Sequence, residues 1–295
     1  MTQSPAPQGL RARLASRKII LAPGVFDPLT ASIAADAGFE ALYLSGAAIA
    51  YTRLGRPDIG LVTMSEVADV LAHIRERVDT PLVVDADTGY GNALNVERTM
   101  RVFERAGAAA IQLEDQSLPK RCGHLADKSL ISAQEMVGKI KAAVDSRLNP
   151  QTLIIARTDA VAVEGLAAAT DRAALYAEAG ADMLFIEAPQ DSAQLALVGR
   201  TGEGRIPLMA NMVEGGRTPV LSASELEALG FALVIFPGGI VRALARAAQD
   251  FNATLARDGQ SNAFRERMFD FEGLNGLLGT ADILARGKRY EEGGR

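Results

Sequence analysis

The chain has 295 residues, 48% of them hydrophobic, and a formal net charge of −5. That length suits one large α/β core or two ordinary domains, and the acidic balance offers no basic stripe for nucleic acid. A single cysteine excludes an internal disulfide and fits a reducing, cytoplasmic setting, and no apolar stretch approaches the roughly 18 to 20 residues that a membrane span needs.

Residues 1–17 carry Arg11, Arg13 and Arg17, no acid, and no apolar segment of the secretory kind. They read as an N-terminal extension that runs into a short helix at about 8–16. From there, short aliphatic runs alternate with alanine-rich helical stretches. The runs are IILAPG from Ile19, ALYLSG from Ala41, LVVDAD from Leu82, AAIQLED from Ala109, LIIARTD from Leu153, MLFIEA from Met183, PLMANM from Pro207 and ALVIFPG from Ala232. Alternation of this kind implies βαβ units and a parallel sheet, and continuous apolar runs fit strands covered on both faces. AGF, AGA, AGA and LGF, ending at Phe39, Ala108, Ala181 and Phe231, each close a helix before the next strand, with glycine as the C-cap. Eight such units predict a (β/α)8 barrel of the TIM type over residues 18–258, followed by a C-terminal helical extension over 259–295. A doubly wound open sheet is the alternative, but no G-x-G-x-x-G follows any strand.

The strand ends carry polar groups: Ser45, Asp85 and Asp87, Glu114 and Asp115, Arg157 and Asp159, Glu187, and Asn211. In a barrel these ends converge on one mouth, where active sites sit. Capping of the following helices accounts for one or two of them, not for an arginine among paired acids. Asp85 and Asp87 stand at i and i+2, so a regular strand turns both to one side. Two adjacent like charges need a cation, and oxygen-only ligands point to a hard one: Mg2+ first, with Mn2+ as the alternative. Glu114 and Asp58 are its outer members. Cys and His show no zinc-ligand spacing.

LPKRCGHLADK, residues 118–128, holds the only cysteine and one of the two histidines. Lys120, Arg121 and His124 place positive charge around Cys122, which should lower the thiol pKa, and Gly123 permits a tight turn and hinge-like closure. The competing reading is a structural cysteine beneath an exposed basic loop. The other histidine, His73, reads as a helix-surface residue. After about residue 260, Phe264, Met268, Phe269, Phe271 and Leu274 form an apolar extension that calls for a covering surface, hence a homo-oligomer.

YLSG at 43–46, GRPDIGLVT at 55–63, DADTGYGN at 85–92, LEDQ at 113–116, PKRCGH at 119–124, ARTDA at 156–160 and ANMVEGGRTP at 210–219 together resemble the isocitrate lyase / phosphoenolpyruvate mutase superfamily. The resemblance spans about residues 18–258, and K-R-C-G-H is similar to the catalytic loop of its lyase branch. It implies a (β/α)8 barrel whose last helix is exchanged between subunits, assembled as a tetramer of two dimers. It also implies a small carboxylate substrate handled through an enolate with Mg2+, and carbon–carbon cleavage of a 2-hydroxy di- or tricarboxylate to an α-keto acid and a carboxylate. Phosphonomutase-like or oxaloacetate-cleaving chemistry on the same scaffold is the alternative.

By the same resemblance, Cys122 protonates the enolate, with Lys120 and His124 beside it. Asp85 is the direct metal ligand, and Asp58, Asp87 and Glu114 hold the metal's waters. Ser45 and the N–H groups of Gly46 and Ala47 bind a substrate carboxylate, with Arg121, Gly123, Arg157, Glu187 and Asn211 completing the substrate site. Tyr43 is the candidate to assist removal of the hydroxyl proton. Two stretches depart from the pattern. S-G-G-G becomes Ser45-Gly46-Ala47-Ala48, and Y-P-L-S becomes Phe236-Pro237-Gly238-Gly239. Both fall where the variable end of the substrate should lie, so a malate derivative or oxaloacetate is expected at least as much as methylisocitrate.

Overall fold

The computed structural model describes residues 9–16, 18–123, 125, 127–202 and 206–292. A short helix, α1 (Leu10–Leu14), precedes β1 (Ile20–Val25) and α2 (Pro28–Asp36). Then come β2 (Leu42–Leu44), α3 (Gly46–Ile49) with a π-helical turn, α4 (Met64–Arg75), β3 (Leu82–Asp85) and α5 (Ala93–Arg105). The second half continues with β4 (Ala110–Glu114), α6 (Ala133–Ser146), β5 (Leu153–Thr158), α7 (Leu166–Glu178), β6 (Met183–Ile186) and α8 (Ser192–Thr201). It closes with β7 (Leu208–Asn211), α9 (Ala223–Ala228), β8 (Leu233–Phe236) and α10 (Gly239–Asp258).

Every strand pairs in parallel with the next, and β8 returns to β1 through Ile20↔Leu233 and its successors, so the sheet closes into a barrel. All eight expected runs are strands, and the helix before the first of them is present. The anticipated helix-closing glycines, Gly38, Gly107, Gly180 and Gly230, all have φ between 85° and 105°, the left-handed cap that glycine adopts without strain. Side chains cap the helix starts: Asp27, Thr63, Asn92, Ser132, Asp191 and Ser222 each accept a backbone N–H.

The barrel interior follows from the two-residue period of a strand. Tyr43, Val83, Ala110, Ile155, Met183, Phe185, Met209 and Ile235 share one core cluster, joined by Leu10 and Leu14 of α1. Extending the same period toward the strand C-termini carries Gln112 and Glu114 after Ala110, Arg157 after Ile155, Glu187 after Phe185, and Asn211 after Met209. The upper layer of the interior is therefore polar where the lower layers are apolar. Register places neighbours side by side: Asp85↔Gln112 and Glu114↔Arg157 are Cα partners.

The chain divides into two compact units, Met1–Ile240 and Val241–Arg295, with the boundary inside α10. In the second unit α11 (Phe271–Leu278) and α12 (Thr280–Glu292) follow a 3-10 turn at Asn262–Arg267. There Phe251 meets Phe264 edge-on at 5.4 Å, and the Arg267 guanidinium lies 4.2 Å from the Phe264 ring. Phe264 is buried, whereas Met268, Phe269, Phe271 and Leu274 are exposed. Among the described residues, no helix is long and apolar enough to cross a membrane.

Candidate active site

The polar layer holds two linked clusters of buried charge. In the first, Lys120 reaches down from the loop after β4. Its Nζ donates to Asp58 Oδ1 at 2.5 Å and lies 2.7 Å from Asp87 Oδ1. Asp85 stands beside them: Gln112 Nε2 donates to its Oδ1 at 3.1 Å, and Gln112 Oε1 accepts from the Tyr43 hydroxyl at 3.1 Å. A β-carbon placed on Gly46 would lie 3.3 Å from Asp85 Oδ2 and 3.6 Å from Asp87 Oδ1, so both carboxylates face the start of α3.

They do so by a different route from the one expected. β3 ends at Asp85, and Asp87 lies beyond it with φ 46°. Strand alternation does not bring the two acids together; the left-handed turn at Asp87 does.

In the second cluster Arg157 is ringed by three acids. Its Nε and Nη2 donate to the two oxygens of Asp159 at 2.9 and 3.1 Å, and its Nη1 lies 3.2 Å from Glu114 Oε2. Glu187 Oε1 stands 4.0 Å from Nη2 and accepts from Asn211 Nδ2 at 3.1 Å. Phe185 backs the guanidinium at 5.3 Å. Asp115 takes no part in this ring. It is one residue past Glu114 and so points to the opposite face, where it accepts from Thr158, Tyr176 and Arg172 and ties β4 to β5 and α7.

Burial drives the titration behaviour. It pushes the Asp87 carboxyl up to about 7 even though Lys120 opposes the shift. It likewise holds Glu114 well above the usual carboxylate range against the pull of Arg157. Burial alone would lower the Lys120 pKa, but Asp87, Asp58 and Glu114 hold it well above the ordinary value, and Asp159 and Glu114 do the same for Arg157. Burial, with the charge of Asp85, raises the Tyr43 phenol well above its normal value. Tyr43 therefore acts here as a hydrogen-bond donor; serving as a base requires a phenolate that this environment disfavours.

The described residues of the loop, 116–123, 125 and 127–130, sit down on this layer. Its two ends pair through Gln116↔Leu130 and the Ser117 N–H to Ser129 carbonyl bond of 2.8 Å. Gln116 clamps the Arg121 backbone through both its amide groups, at 2.8 and 2.9 Å. The Cys122 N–H donates to the Asp58 carbonyl at 3.2 Å. Gly123 fits against the second cluster so closely that a β-carbon there would lie 2.2 Å from Glu187 Oε1 and 2.6 Å from Arg157 Nη2. Close approach, not a positive φ, is what requires glycine at this position.

Lys120 thus spends its charge on Asp58 and Asp87, and Arg121 extends to Asp127 at 3.4 Å. Both cations therefore also serve carboxylates, in addition to standing next to Cys122 in the chain. His124 lies outside the described residues. His73 is exposed on α4, 3.8 Å from Asp69.

Ser45 is an N-cap after all: its side chain accepts from the Ala48 N–H, while Gly46 and Ala47 open the helix with their N–H groups. Ala48 is fully buried and Ala47 half-buried, so of the two extra methyls Ala47 is the one nearer solvent. At the other departure, a β-carbon on Gly239 would fall 2.8 Å from Glu214 Oε1. The missing side chain makes room for that carboxylate. Sequence reading did not give Gln112, Asp159, Lys128 or Glu214 a role. The sequence places Asp159 at the strand-end rim but without a partner, and Gln112 stands two positions from Glu114, a spacing that would have flagged it.

The acids fit a hard cation. Glu114 Oε1 is buried with no hydrogen-bond partner, and Asp87 Oδ1 has only the misaligned Lys120 contact. Among the described residues, no three or more of His, Cys, Asp and Glu close into a ready-made metal cage. One direct carboxylate with the rest acting through water is the pattern Mg2+ accepts.

Apart from Asp115, the acids and buried cations at the strand ends face one mouth, and a loop rests on it: this is a (β/α)8 enzyme built for a small charged substrate. A family model described as phosphoenolpyruvate phosphomutase matches residues 10–256. The chain is 43% identical over 284 residues to 2,3-dimethylmalate lyase of Eubacterium barkeri, covering 96% of this chain and 98% of the relative. It is 45% identical over 277 residues to 2-methylisocitrate lyase of Aeropyrum pernix, covering 94% and 88%. The chain belongs to the phosphoenolpyruvate mutase / isocitrate lyase superfamily.

The crystal structure of a 2,3-dimethylmalate lyase superposes with a TM-score of 0.89 at 35% identity, covering 95% of this chain and 93% of the other. An oxaloacetate acetylhydrolase bound to 3,3-difluorooxalacetate gives 0.90 at 32%, with 98% of each chain covered. A phosphonopyruvate hydrolase bound to oxalate and Mg2+ gives 0.87 at 31%, covering 97% and 99%. Both curated relatives are carbon–carbon lyases, and they support that enzyme class for this chain.

Proposed function

We propose that this lyase cleaves a small 2-hydroxy dicarboxylate of the dimethylmalate type in a retro-aldol sense. A general base in the mouth takes the hydroxyl proton, the carbinol carbon becomes the keto carbon of an α-keto acid, and the carbon–carbon bonding pair passes to the other fragment as an enolate. Proton transfer from the Cys122 thiol to that carbon releases the second carboxylate. The observation that carries this reading is the seat of Gly123 on Glu187 and Arg157, which sets the neighbouring Cys122 above the polar layer.

Arg157 and the N–H groups of Gly46 and Ala47 bind the substrate carboxylates and oxygens. Tyr43, kept as a phenol, orients the site through Gln112. The seated loop excludes water, so the enolate meets the enzyme's proton. Asp85 would hold Mg2+ (or Mn2+) directly, with Asp58, Asp87 and Glu114 on its waters, and the ion would stabilise negative charge developing on substrate oxygens. The likeness to 2,3-dimethylmalate lyase over 96% of this chain supports a dicarboxylate.

The second reading is oxaloacetate cleavage, supported by the likeness to oxaloacetate acetylhydrolase over the whole chain. Incubation with Mg2+ and a panel of 2-hydroxy diacids, methylisocitrate, oxaloacetate and phosphonopyruvate separates them. An α-keto acid released from a malate derivative is the expected result. Turnover of oxaloacetate or phosphonopyruvate alone would overturn it.

The same reading includes a cytoplasmic homo-oligomer, a tetramer of two dimers with the last barrel helix exchanged between partners. Exposed Phe269, Phe271, Leu274, Ile283 and Leu284 support it, because such side chains call for a covering surface. A monomer by light scattering at micromolar concentration would refute the assembly.

A further inference from the structure

Lys128 has no part in the chemistry above, yet its side chain is 1% exposed. It sits near the far end of the loop that begins at Gln116. Its Nζ donates to the Gly123 carbonyl at 2.5 Å and to Asp159 Oδ1 at 2.7 Å. Asp159 is also buried, and its two oxygens grip Arg157 Nε and Nη2. One carboxylate thus holds the substrate-facing guanidinium directly and, through a lysine, the backbone of the residue next to Cys122. An ammonium is costly to bury unless it is paired. Lys128 belongs to the loop and Asp159 to the end of β5, so the pair is complete only while the loop is seated. Although burial opposes it, Arg157 and Lys128 together hold the Asp159 carboxyl down to about 2, so the partner is charged across the working pH range.

We propose that Lys128 and Asp159 form a latch, a positioning pair that sets the fraction of time the cysteine-bearing loop spends seated on the mouth. Lys128 does not touch the reacting atoms. It fixes Gly123, and through Gly123 the placement of Cys122. The proposal rests on the reading that this loop seats over the substrate, but its test needs no substrate and no turnover.

The test is alkylation of Cys122 by iodoacetamide in the full-length chain without substrate, followed by intact mass. Lys128→Met removes both bonds and leaves Asp159 paired with Arg157, so the fold should persist, as checked by circular dichroism. The second-order alkylation rate should rise about 10-fold or more, the range a charge-assisted hydrogen bond represents in an equilibrium. Lys128→Gln, which keeps a donor for Gly123 but no charge for Asp159, should fall between parent and Lys128→Met, and it carries the test if the methionine variant does not fold. Asp159→Asn should act in the same direction. In the double variant Lys128→Met/Asp159→Asn the effects should not multiply, because both changes break one unit. A folded Lys128 variant that alkylates within about two-fold of the parent overturns the latch, and so do effects that multiply independently. Where any of the substrate panel is turned over, Lys128→Met should lower kcat more than it raises KM, since it acts on closure and not on carboxylate binding.

Discussion

Alanine at Gly123 tests whether the loop must descend fully onto the mouth. Gly123 does not have a positive φ, so an alanine there strains no backbone and the added methyl is the whole perturbation. That methyl would stand 2.2 Å from Glu187 Oε1 and 2.6 Å from Arg157 Nη2, roughly 1 Å inside normal contact. Two relaxations are open. The Glu187 carboxylate can turn away, breaking its bonds of 3.1 and 3.3 Å from Asn211 Nδ2 and leaving a buried charge short of partners. Otherwise the loop retreats, and the 2.5 Å bond from Lys128 Nζ to the Gly123 carbonyl stretches past hydrogen-bonding distance. Either route gives up a charge-assisted hydrogen bond, worth about 1.5 to 3 kcal/mol. At about 1.4 kcal/mol per tenfold, kcat/KM should fall about 10- to 150-fold. Thermal stability should fall by no more than that same bond is worth, because the apolar core below the site is untouched. The assay is product release from the best substrate of the panel, paired with Cys122 alkylation, which should quicken as the loop lifts. A Gly123→Ala enzyme with parental kcat/KM and parental alkylation would show that the seated loop is not the catalytic geometry.

Three other predictions concern the acid, the cation and pH. Cys122→Ser should keep the fold but lose about 10²- to 10⁴-fold in turnover, because a hydroxyl is a far poorer proton donor than a thiol; near-parental turnover would make Cys122 structural and favour the oxaloacetate reading. EDTA should abolish turnover, with Mg2+ or Mn2+ restoring it, and Asp85→Asn should weaken Mg2+ binding by calorimetry; full activity in metal-free protein would remove the cation from the mechanism. Asp159→Asn should destabilise the protein most above about pH 4. The native pKa of Asp159 is depressed to about 2 and the unfolded value is near 3.9, so its contribution is full above the unfolded pKa and vanishes as pH falls through the native one. The gap in melting temperature between parent and variant should therefore close between pH 4 and 2, and a gap constant with pH would contradict the assignment.

Short-range rules made most of the scaffold legible. Eight aliphatic runs spaced by alanine-rich helices, each helix closed by a glycine before the next strand, specify strands and connections through local sterics and burial alone. Polar residues that end those runs in a two-residue rhythm specify the upper layer of the barrel, which is why Glu114, Arg157, Glu187 and Asn211 could be read before any coordinates. Only the tertiary structure decided which charges meet. Asp87 reaches Asp85's side of the mouth by a left-handed turn that the strand pattern does not encode. Lys120 lies 62 positions from Asp58 and bonds to it, and Lys128 lies 31 positions from Asp159 and bonds to it. Such pairings depend on how a loop folds back over a barrel, and a buried charge takes whatever opposite charge the fold brings within reach. Proximity along the chain placed Lys120 and Arg121 with Cys122; only the fold brought Lys120 to Asp58 and Asp87 and Arg121 to Asp127 as well.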